Sequence, residues 1–473
     1  MEILMVTSEA VPFSKSGGLA DVLGALSPAL NKLGHNVTVF MPLYSFIERT
    51  GFRKALSYQI PMLGRNEKAE VYEKKVDGVT YAALAHPYFT ERKGIYGDTS
   101  FTPYSDNCPR FIAFSKAAAL YILARGLHVD IVHCHDWTTG FVMHFMKYFK
   151  VPGKTVFTIH NLEYQGVFSP LDAVSSSSVI PREAERDGKI NMMALALRTA
   201  DRITTVSPTY AKEILTQQYG AGLEDILKQR ENDTEGIING IDEKEWNAES
   251  DTLIPARFSK DNIKGKKECR KEVQRLFGLE ERDDIPLVAL ISRLASQKGF
   301  DELLLEGEEC ALERILKTGK CQVALIGTGD SRYISKLSSL MMAYDNLSVK
   351  IVFSKELSHI LEAGADFFLM PSSYEPCGLN QMYSLTYGTI PIVHATGGLS
   401  DTVRDIENEN GNGISFLSLT PDEIVSALER ALALYSDKEK LERVRERGMS
   451  EDFSWHTSAG KYEKLYLELL RKA

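Results

Sequence analysis

The sequence predicts an α/β protein made of two Rossmann-like domains, each a doubly wound parallel sheet, and three observations predict it. Continuous apolar runs that read as strands buried on both faces recur in both halves of the chain. Helical patterns lie between many of them, as a parallel sheet covered on both sides requires. Glycine-bearing loops follow several strands where a helix opens. At 473 residues the chain also exceeds one ordinary core, so two domains of roughly 200 residues each are expected.

The first strand is Ile3-Leu4-Met5-Val6, and the helix after it spans 19–33 with Val22, Leu23, Leu26 and Leu30 on one apolar stripe. Further strands are expected at 37–41, 131–135, 155–159 and 203–206, then at 287–291, 322–326, 351–353, 367–370 and 390–393. The chain passes between domains near Asn239-Gly240-Ile241-Asp242, because Asn-Gly is a turn signal and the stretch before Leu287 is polar and charge-rich. The expected division is therefore 1–239 as an N-terminal domain, 240–453 as a C-terminal domain, and a last segment, 454–473. A helix at 457–471 carries Tyr462, Leu465, Tyr466, Leu469 and Leu470 on one stripe, and Ser175-Ser176-Ser177-Ser178 reads as a short polar loop.

Three loops carry chemistry. Ser14-Lys15-Ser16-Gly17-Gly18-Leu19-Ala20-Asp21-Val22 turns from the first strand straight into the first helix, where a fold can offer free backbone N–H groups to a phosphate. Gly17 and Gly18 permit close approach, and Lys15 adds a point charge beside the positive helix end. The glycine pair serves equally as a plain tight turn, and the string is neither GxGxxG nor a Walker A loop. Arg293 and Lys298 occupy the loop after strand 287–291, and Pro371-Ser372-Ser373-Tyr374-Glu375-Pro376-Cys377-Gly378-Leu379-Asn380-Gln381 follows strand 367–370 and opens a helix near Leu379. A carboxylate beside a helix N-terminus can take sugar hydroxyls while the amides face a diphosphate. Taken singly, Arg293 or Lys298 is also a solvated surface charge, and Glu375 an ordinary helix-start carboxylate.

A net charge of −9 disfavours nucleic acid and anionic membrane as partners, so an anionic substrate must find a local cationic site. The six cysteines form no CxxC pair, which favours a reducing compartment. No basic leader precedes the first strand and no apolar run approaches the roughly 18 residues that span a bilayer. A cytoplasmic location is expected. His133-Cys134-His135-Asp136 invites a metal reading, yet positions two apart on a strand share one face while Asp136 points away. Neither a metal nor a cofactor is expected.

These strings, with Tyr96-Gly97-Asp98, His135-Asp136-Trp137, Thr158-Ile159-His160-Asn161, Thr205-Val206-Ser207-Pro208 and Thr396-Gly397-Gly398-Leu399, closely resemble in content and order the bacterial glycogen synthase and plant starch synthase family of glycosyltransferases. The resemblance runs over nearly the whole chain. It implies the GT-B architecture, with an interdomain cleft that closes over the donor and a last helix crossing back to the first domain. It also implies transfer of glucose from ADP-glucose to the nonreducing 4-hydroxyl of an α-1,4-glucan such as glycogen, with retention of configuration and release of ADP. UDP-glucose as donor and an inactive carbohydrate-binding relative stay open, and oligomeric state is not readable. A nicotinamide oxidoreductase would need a GxGxxG loop after the first strand, which is missing.

By matching motif positions, the resemblance makes Arg293 and Lys298 the diphosphate cations, with Lys15 reaching it from the other domain on a loop shaped by Gly17 and Gly18 beside Asp21. Glu375 binds the donor sugar hydroxyls, with Cys377, Gly378, Leu379, Asn380, Thr396, Gly397 and Gly398 around the donor. His160 lies beside the transferred glucose next to Asn161, Asp136 and Trp137 line the acceptor side, and Asn239 sits at the hinge. Glu375, Arg293, Lys298 and His160 are the expected catalytic set, with no general-base role given to His160. Fixed donors around a leaving diphosphate act mainly in the transition state, where losing one costs a few kcal/mol. Three positions depart from common patterns: Ser16 and Asn380 stand where threonine is frequent, and Tyr383 stands where many related retaining transferases place a second glutamate.

Overall fold

A computed structural model describes residues 1–98, 102–173, 180–307 and 309–471. The serine run at 175–178 lies outside the described residues. The chain divides into two compact units, one formed by Met1–Gly240 with the segment from Trp455 onward, the other by Ile241–Ser454.

The first unit contains β1 (Glu2–Val6), β2 (Asn36–Pro42), β3 (Arg53–Met62), β4 (Arg65–Val76), β5 (Val79–Ala85), β6 (Ile131–His135), β7 (Lys154–Ile159), β8 (Val167–Phe168), β9 (Glu185–Arg186), β10 (Lys189–Asn191), β11 (Arg202–Thr205) and β12 (Thr234–Gly236). Its main sheet runs β12-β11-β7-β6-β1-β2-β5-β4-β3, and β8, β10 and β9 form a small antiparallel sheet. From β12 to β5 every pairing is parallel. These strands read as apolar runs because helices cover both faces, so β6 is buried at every position. The antiparallel extension β3-β4-β5 was not among the expected strands, since its half-exposed strands alternate polar and apolar residues. Asp77 and Gly78, at φ 49° and 83°, close β4 onto β5 in the left-handed turn geometry that hairpin twist favours.

The helix Gly18–Lys32 leaves the β1 loop and buries Leu19, Val22, Leu23, Leu26 and Leu30. The helix Trp455–Arg471 packs against it within this unit, burying Tyr462, Leu465, Tyr466 and Leu469. Polar contacts fix that docking: the Tyr466 hydroxyl lies 2.7 Å from His133 Nδ1, and His35 Nε2 lies 2.8 Å from Glu463.

The second unit holds β13 (Leu287–Ile291), β14 (Gln322–Ile326), β15 (Leu347–Lys350), β16 (Phe367–Met370), β17 (Ile390–His394) and β18 (Ile414–Phe416) in one parallel sheet ordered β15-β14-β13-β16-β17-β18. One expected strand needs correction. The chain pairs at Leu347–Lys350 and leaves the sheet at Ile351, so that Phe353 is 88 % exposed. An edge strand needs only one apolar face, which let Ser348 and Lys350 hide the real strand behind the more apolar run that follows. Downstream of Ile241, the Trp246 ring is stacked between His359 and Tyr383 at centroid distances of 3.9 and 3.8 Å. Asp251 holds the same segment through His359 Nδ1 and the Tyr387 hydroxyl.

Both strand orders reverse direction once, between β1 and β6 in the first unit and between β13 and β16 in the second. Crevices beyond the carboxyl ends of strands at such reversals are where open parallel sheets bind ligands. The loops singled out in the sequence leave the sheets there. No helix among the described residues is long and apolar enough to cross a membrane.

Candidate active site

In the second unit the loops after β13, β16 and β17 meet. Lys298 Nζ donates to Glu375 Oε2, and the Ser372 hydroxyl donates to the same oxygen at 3.2 Å. Both charged side chains are largely withdrawn from water, at 19 % and 10 % exposure. Gln297 ties the two loops together, its carbonyl accepting the Ser373 N–H at 2.8 Å and its amide donating to the Tyr374 carbonyl at 3.3 Å. Arg293 is exposed, and among the described residues its guanidinium donates only to the Gln297 side-chain oxygen, at 3.5 Å.

Thr396, Gly397 and Gly398 press from β17 onto the back of the Glu375 loop. The Gly398 N–H donates to the Glu375 carbonyl at 3.0 Å, and a Cβ on Gly397 or Gly398 would collide with the carbonyls of Glu375 or Cys377. Their glycine requirement is thus met by loop packing, with Gly397 at φ 46°. Cys377 is buried, Gly378 takes φ 70°, and Leu379 leads into the short helix Asn380–Thr386. The Asn380 side-chain amide donates to the Ile291 carbonyl at 2.8 Å, so it braces the end of β13.

In the first unit the loop after β1 corrects one expectation. The N–H groups of Ser16 and Gly17 are not free: both donate to the carboxylate of Glu9, which also receives the Ser16 hydroxyl at 2.9 Å and the Tyr96 hydroxyl at 2.8 Å. Glu9 is buried, and a carboxylate in a ring of donors is the arrangement an anion would otherwise take. Lys15 is exposed and paired with Asp21 at 2.7 Å. Cβ atoms on Gly17 or Gly18 would meet open space, so these glycines face outward at the helix start.

Beside that loop, β6 is followed by Asp136, a non-glycine residue at φ 56°. Such strain concentrates at functional sites. Asp136 Oδ1 accepts the His160 N–H at 2.8 Å, and the Asn161 N–H also bonds the carboxylate. Burial nonetheless pushes the Asp136 acid up to about 7. Trp137 packs edge-on against Phe111 at 5.0 Å and lies near Tyr96 and Phe168, with Gly166 against its ring where no side chain would fit. His160 Nε2 lies 3.1 Å from His135 Nδ1, and burial lowers His160 to about 3. His133 and His135 do share a face, with ring centroids 4.2 Å apart, and no metal-holding cluster occurs among the described residues. Asn239 is buried at the end of this unit.

A family model described as the starch synthase catalytic domain matches residues 2–229, and one described as glycosyl transferases group 1 matches residues 274–450. A glycogen synthase from Geotalea daltonii is 42 % identical over 490 aligned residues, covering 100 % of this chain and 99 % of that protein. The chain belongs to the bacterial glycogen synthase and starch synthase family. It is a glycosyltransferase, and its fold is GT-B. The catalytic domain of Arabidopsis thaliana starch synthase IV, solved with ADP and acarbose bound, superposes with a TM-score of 0.87 at 32 % identity and 99 % coverage of both chains. A sucrose-phosphate synthase from Thermosynechococcus elongatus shares the fold at 18 % identity, with a TM-score of 0.64 and 100 % coverage of both chains.

In this member of the family the sheet reversals gather the expected residues into two constellations, Arg293, Lys298, Glu375, Gly378, Thr396 and Gly398 in one unit and Lys15, Asp21, Asp136, Trp137, His160 and Asn161 in the other. Sequence reasoning missed Glu9, Tyr96 as its partner, and His135 as the contact of His160. Glu9 had a readable signal, an acid between a buried strand and a glycine loop. His135 had none, because only the β6–β7 pairing brings it to His160.

Proposed function

We propose that this chain elongates an α-1,4-glucan by moving glucose from ADP-glucose to the nonreducing 4-hydroxyl, retaining the anomeric configuration and releasing ADP. The observation that carries the reading is the contact between Lys298 and Glu375 at the reversal of the second sheet. It sets a cation suited to a leaving diphosphate against an acid suited to sugar hydroxyls. In this reading Arg293 and Lys298 hold the diphosphate, and Lys298 neutralises the departing oxygen, where a fixed donor is worth about 3 kcal/mol in the transition state. Glu375 grips the donor glucose and stabilises positive character at its anomeric carbon. Lys15 adds a third cation once it leaves Asp21, and Asp136, Trp137 and His160 serve the sugar side.

Phe353, exposed beyond β15 on the carboxyl edge of the same sheet, offers a free ring face for the adenine of the donor. We assign 1–239 to the acceptor side, 240–453 to the nucleotide sugar and 454–473 to support of the first domain. The cysteines are unpaired and buried, in keeping with a reducing cytoplasm.

The test is incubation with radiolabelled ADP-glucose or UDP-glucose and a malto-oligosaccharide, followed by sizing of the products. Extension by single hexoses with ADP release, and α-linkage by NMR, is the expected result. Turnover with UDP-glucose alone would overturn the donor assignment, and no extension with either donor would overturn the activity.

A further inference from the structure

Among the buried titratable groups that the proposed reaction does not use, one lies against the sugar-side residues. His135 ends β6 beneath the sugar-side residues, fully buried, with its ring held between two other imidazoles. Its neighbour His133 is fastened at both nitrogens, Nδ1 to the Tyr466 hydroxyl at 2.7 Å and Nε2 to the Thr158 hydroxyl at 2.6 Å. Thr158 is linked in turn to the Thr204 hydroxyl at 2.5 Å. The His135 ring therefore stacks on an immobile partner, and its own carbonyl accepts the Thr139 hydroxyl at 3.1 Å.

The hydrogen-bond count at these rings fixes where the protons lie. Burial holds His133, His135 and His160 well below the ordinary histidine range, so each ring is neutral and carries one N–H. His135 Nε2 is buried and makes no hydrogen bond among the described residues. A buried N–H left without an acceptor is rarer than a buried acceptor left without a donor, so that nitrogen bears the lone pair. The single proton of His135 is then on Nδ1, which faces His160 Nε2 at 3.1 Å. His160 Nε2 must accept it, which leaves the His160 proton on Nδ1. The backbone of His160 is clamped by the Asp136 carboxylate at 2.8 Å, which fixes the point from which its ring reaches His135.

We propose that His135 is a positioning residue that sets the tautomer of His160, so that His160 presents Nδ1–H as a hydrogen-bond donor to a hydroxyl of the transferred sugar. The sugar half of this statement rests on the reading of His160 given above. What position 135 must supply is a donor at the Nδ1 position, and the histidine ring does so while leaving its far nitrogen dry and unprotonated. The inference predicts a division between variants: His135→Asn keeps an amide N–H near the Nδ1 position, whereas His135→Leu keeps bulk and removes the donor.

The experiment is nitrogen NMR of the full chain labelled with 15N-histidine at pH 7, with His160 assigned from the spectrum of His160→Gln. The expected wild-type pattern is a protonated-type Nδ1 and an unprotonated-type Nε2 at His160. His135→Asn should preserve it, and His135→Leu should shift the population toward the Nε2–H form. In parallel, kcat should fall about tenfold in His135→Leu, the loss of roughly one hydrogen bond, with KM for the donor little changed and activity restored in His135→Asn. A wild-type His160 protonated at Nε2, or a tautomer unchanged in His135→Leu, would overturn the positioning role. The predicted tautomers with unchanged kcat would instead overturn the sugar contact of His160. If His135→Leu does not fold, the wild-type and His135→Asn spectra still decide the proton position.

Discussion

Replacing Lys298 by alanine should expose how far Glu375 depends on its partner. The two side chains keep only 19 % and 10 % exposure, so neither charge is well solvated when left alone. At hydrogen-bond contact and an effective dielectric near 20, their Coulomb attraction is roughly 5 kcal/mol before desolvation is counted. Removing one member of a buried pair costs about 3–5 kcal/mol, chiefly because the survivor stays buried and unpaired, and the residual solvent contact places Lys298→Ala near the lower figure. Glu375→Gln removes the survivor's charge, so the double variant should recover about 2 kcal/mol of the summed losses. Urea titration reads this through Trp246, the tryptophan of the second unit, while Trp137 and Trp455 lie in the first. Turnover should fall about 100- to 1,000-fold in Lys298→Ala, as for removal of one fixed donor from a developing anion. Stability losses that simply add in the double variant, to within about 0.5 kcal/mol, would refute the coupling of cation and acid.

Three further outcomes follow from the same geometry. Asp136 is raised from 3.8 to about 7 in the folded chain, so its contribution to stability is full below pH 4 and lost as pH rises through 7. Asp136→Asn cannot ionise, and its urea midpoint should gain on the wild type as pH goes from 5 to 8; equal pH slopes would count against a protonated Asp136. Glu9→Ala removes the shared acceptor of Ser16 and Gly17, and with charged hydrogen bonds worth about 1.5–3 kcal/mol, amide exchange at those two residues should accelerate at least about tenfold. Unchanged protection there would show that the loop holds itself. Phe353→Ala should weaken ADP binding by about 1–3 kcal/mol if the ring stacks on the base, as calorimetry with ADP would show, and leave α-glucan binding untouched.

The legible part of this fold is the part buried on both faces. Strands such as Leu287–Ile291 and Phe367–Met370 announce themselves because nothing polar is tolerated between two helical layers, and the loops after them follow once the strands are placed. Away from that double cover the signal weakens: β15 carries Lys350 and Ser348, whose buried hydroxyl bonds the Phe277 carbonyl, and the meander from Arg53 to Ala85 includes half-exposed strands, although Asp77-Gly78 marks its tightest turn in plain sequence. The charged site residues were legible by resemblance, whereas their partners were not. Glu9 lies seven residues before Ser16, and His135 lies twenty-five before His160. Tyr383 shows the same limit, since its stacking on Trp246 requires a segment more than a hundred positions earlier to fold back onto the helix Asn380–Thr386.

The cations proposed for the diphosphate are not equivalent, and on that proposal the difference gives them separate kinetic roles. Lys15 is paired with Asp21 and Lys298 with Glu375, so for each of them phosphate replaces a carboxylate and the net gain on binding is a difference between two similar contacts. Arg293 is exposed, and among the described residues it has no acidic partner and its guanidinium donates only to an amide oxygen, at 3.5 Å. It can offer its full charge to the ground-state donor. On the proposed reading exchange at Lys298 does something more, because it releases the Glu375 carboxylate toward the sugar as the leaving oxygen gains charge. Arg293→Ala should therefore act mainly by raising KM for ADP-glucose, about tenfold or more for a lost charged hydrogen bond, while Lys298→Ala should act mainly on kcat. Steady-state kinetics on both variants with a malto-oligosaccharide acceptor separates them. The reverse split, with kcat lost at Arg293 and KM raised at Lys298, would mean that the pair with Glu375 persists through the reaction and that Arg293 is the group facing the departing oxygen.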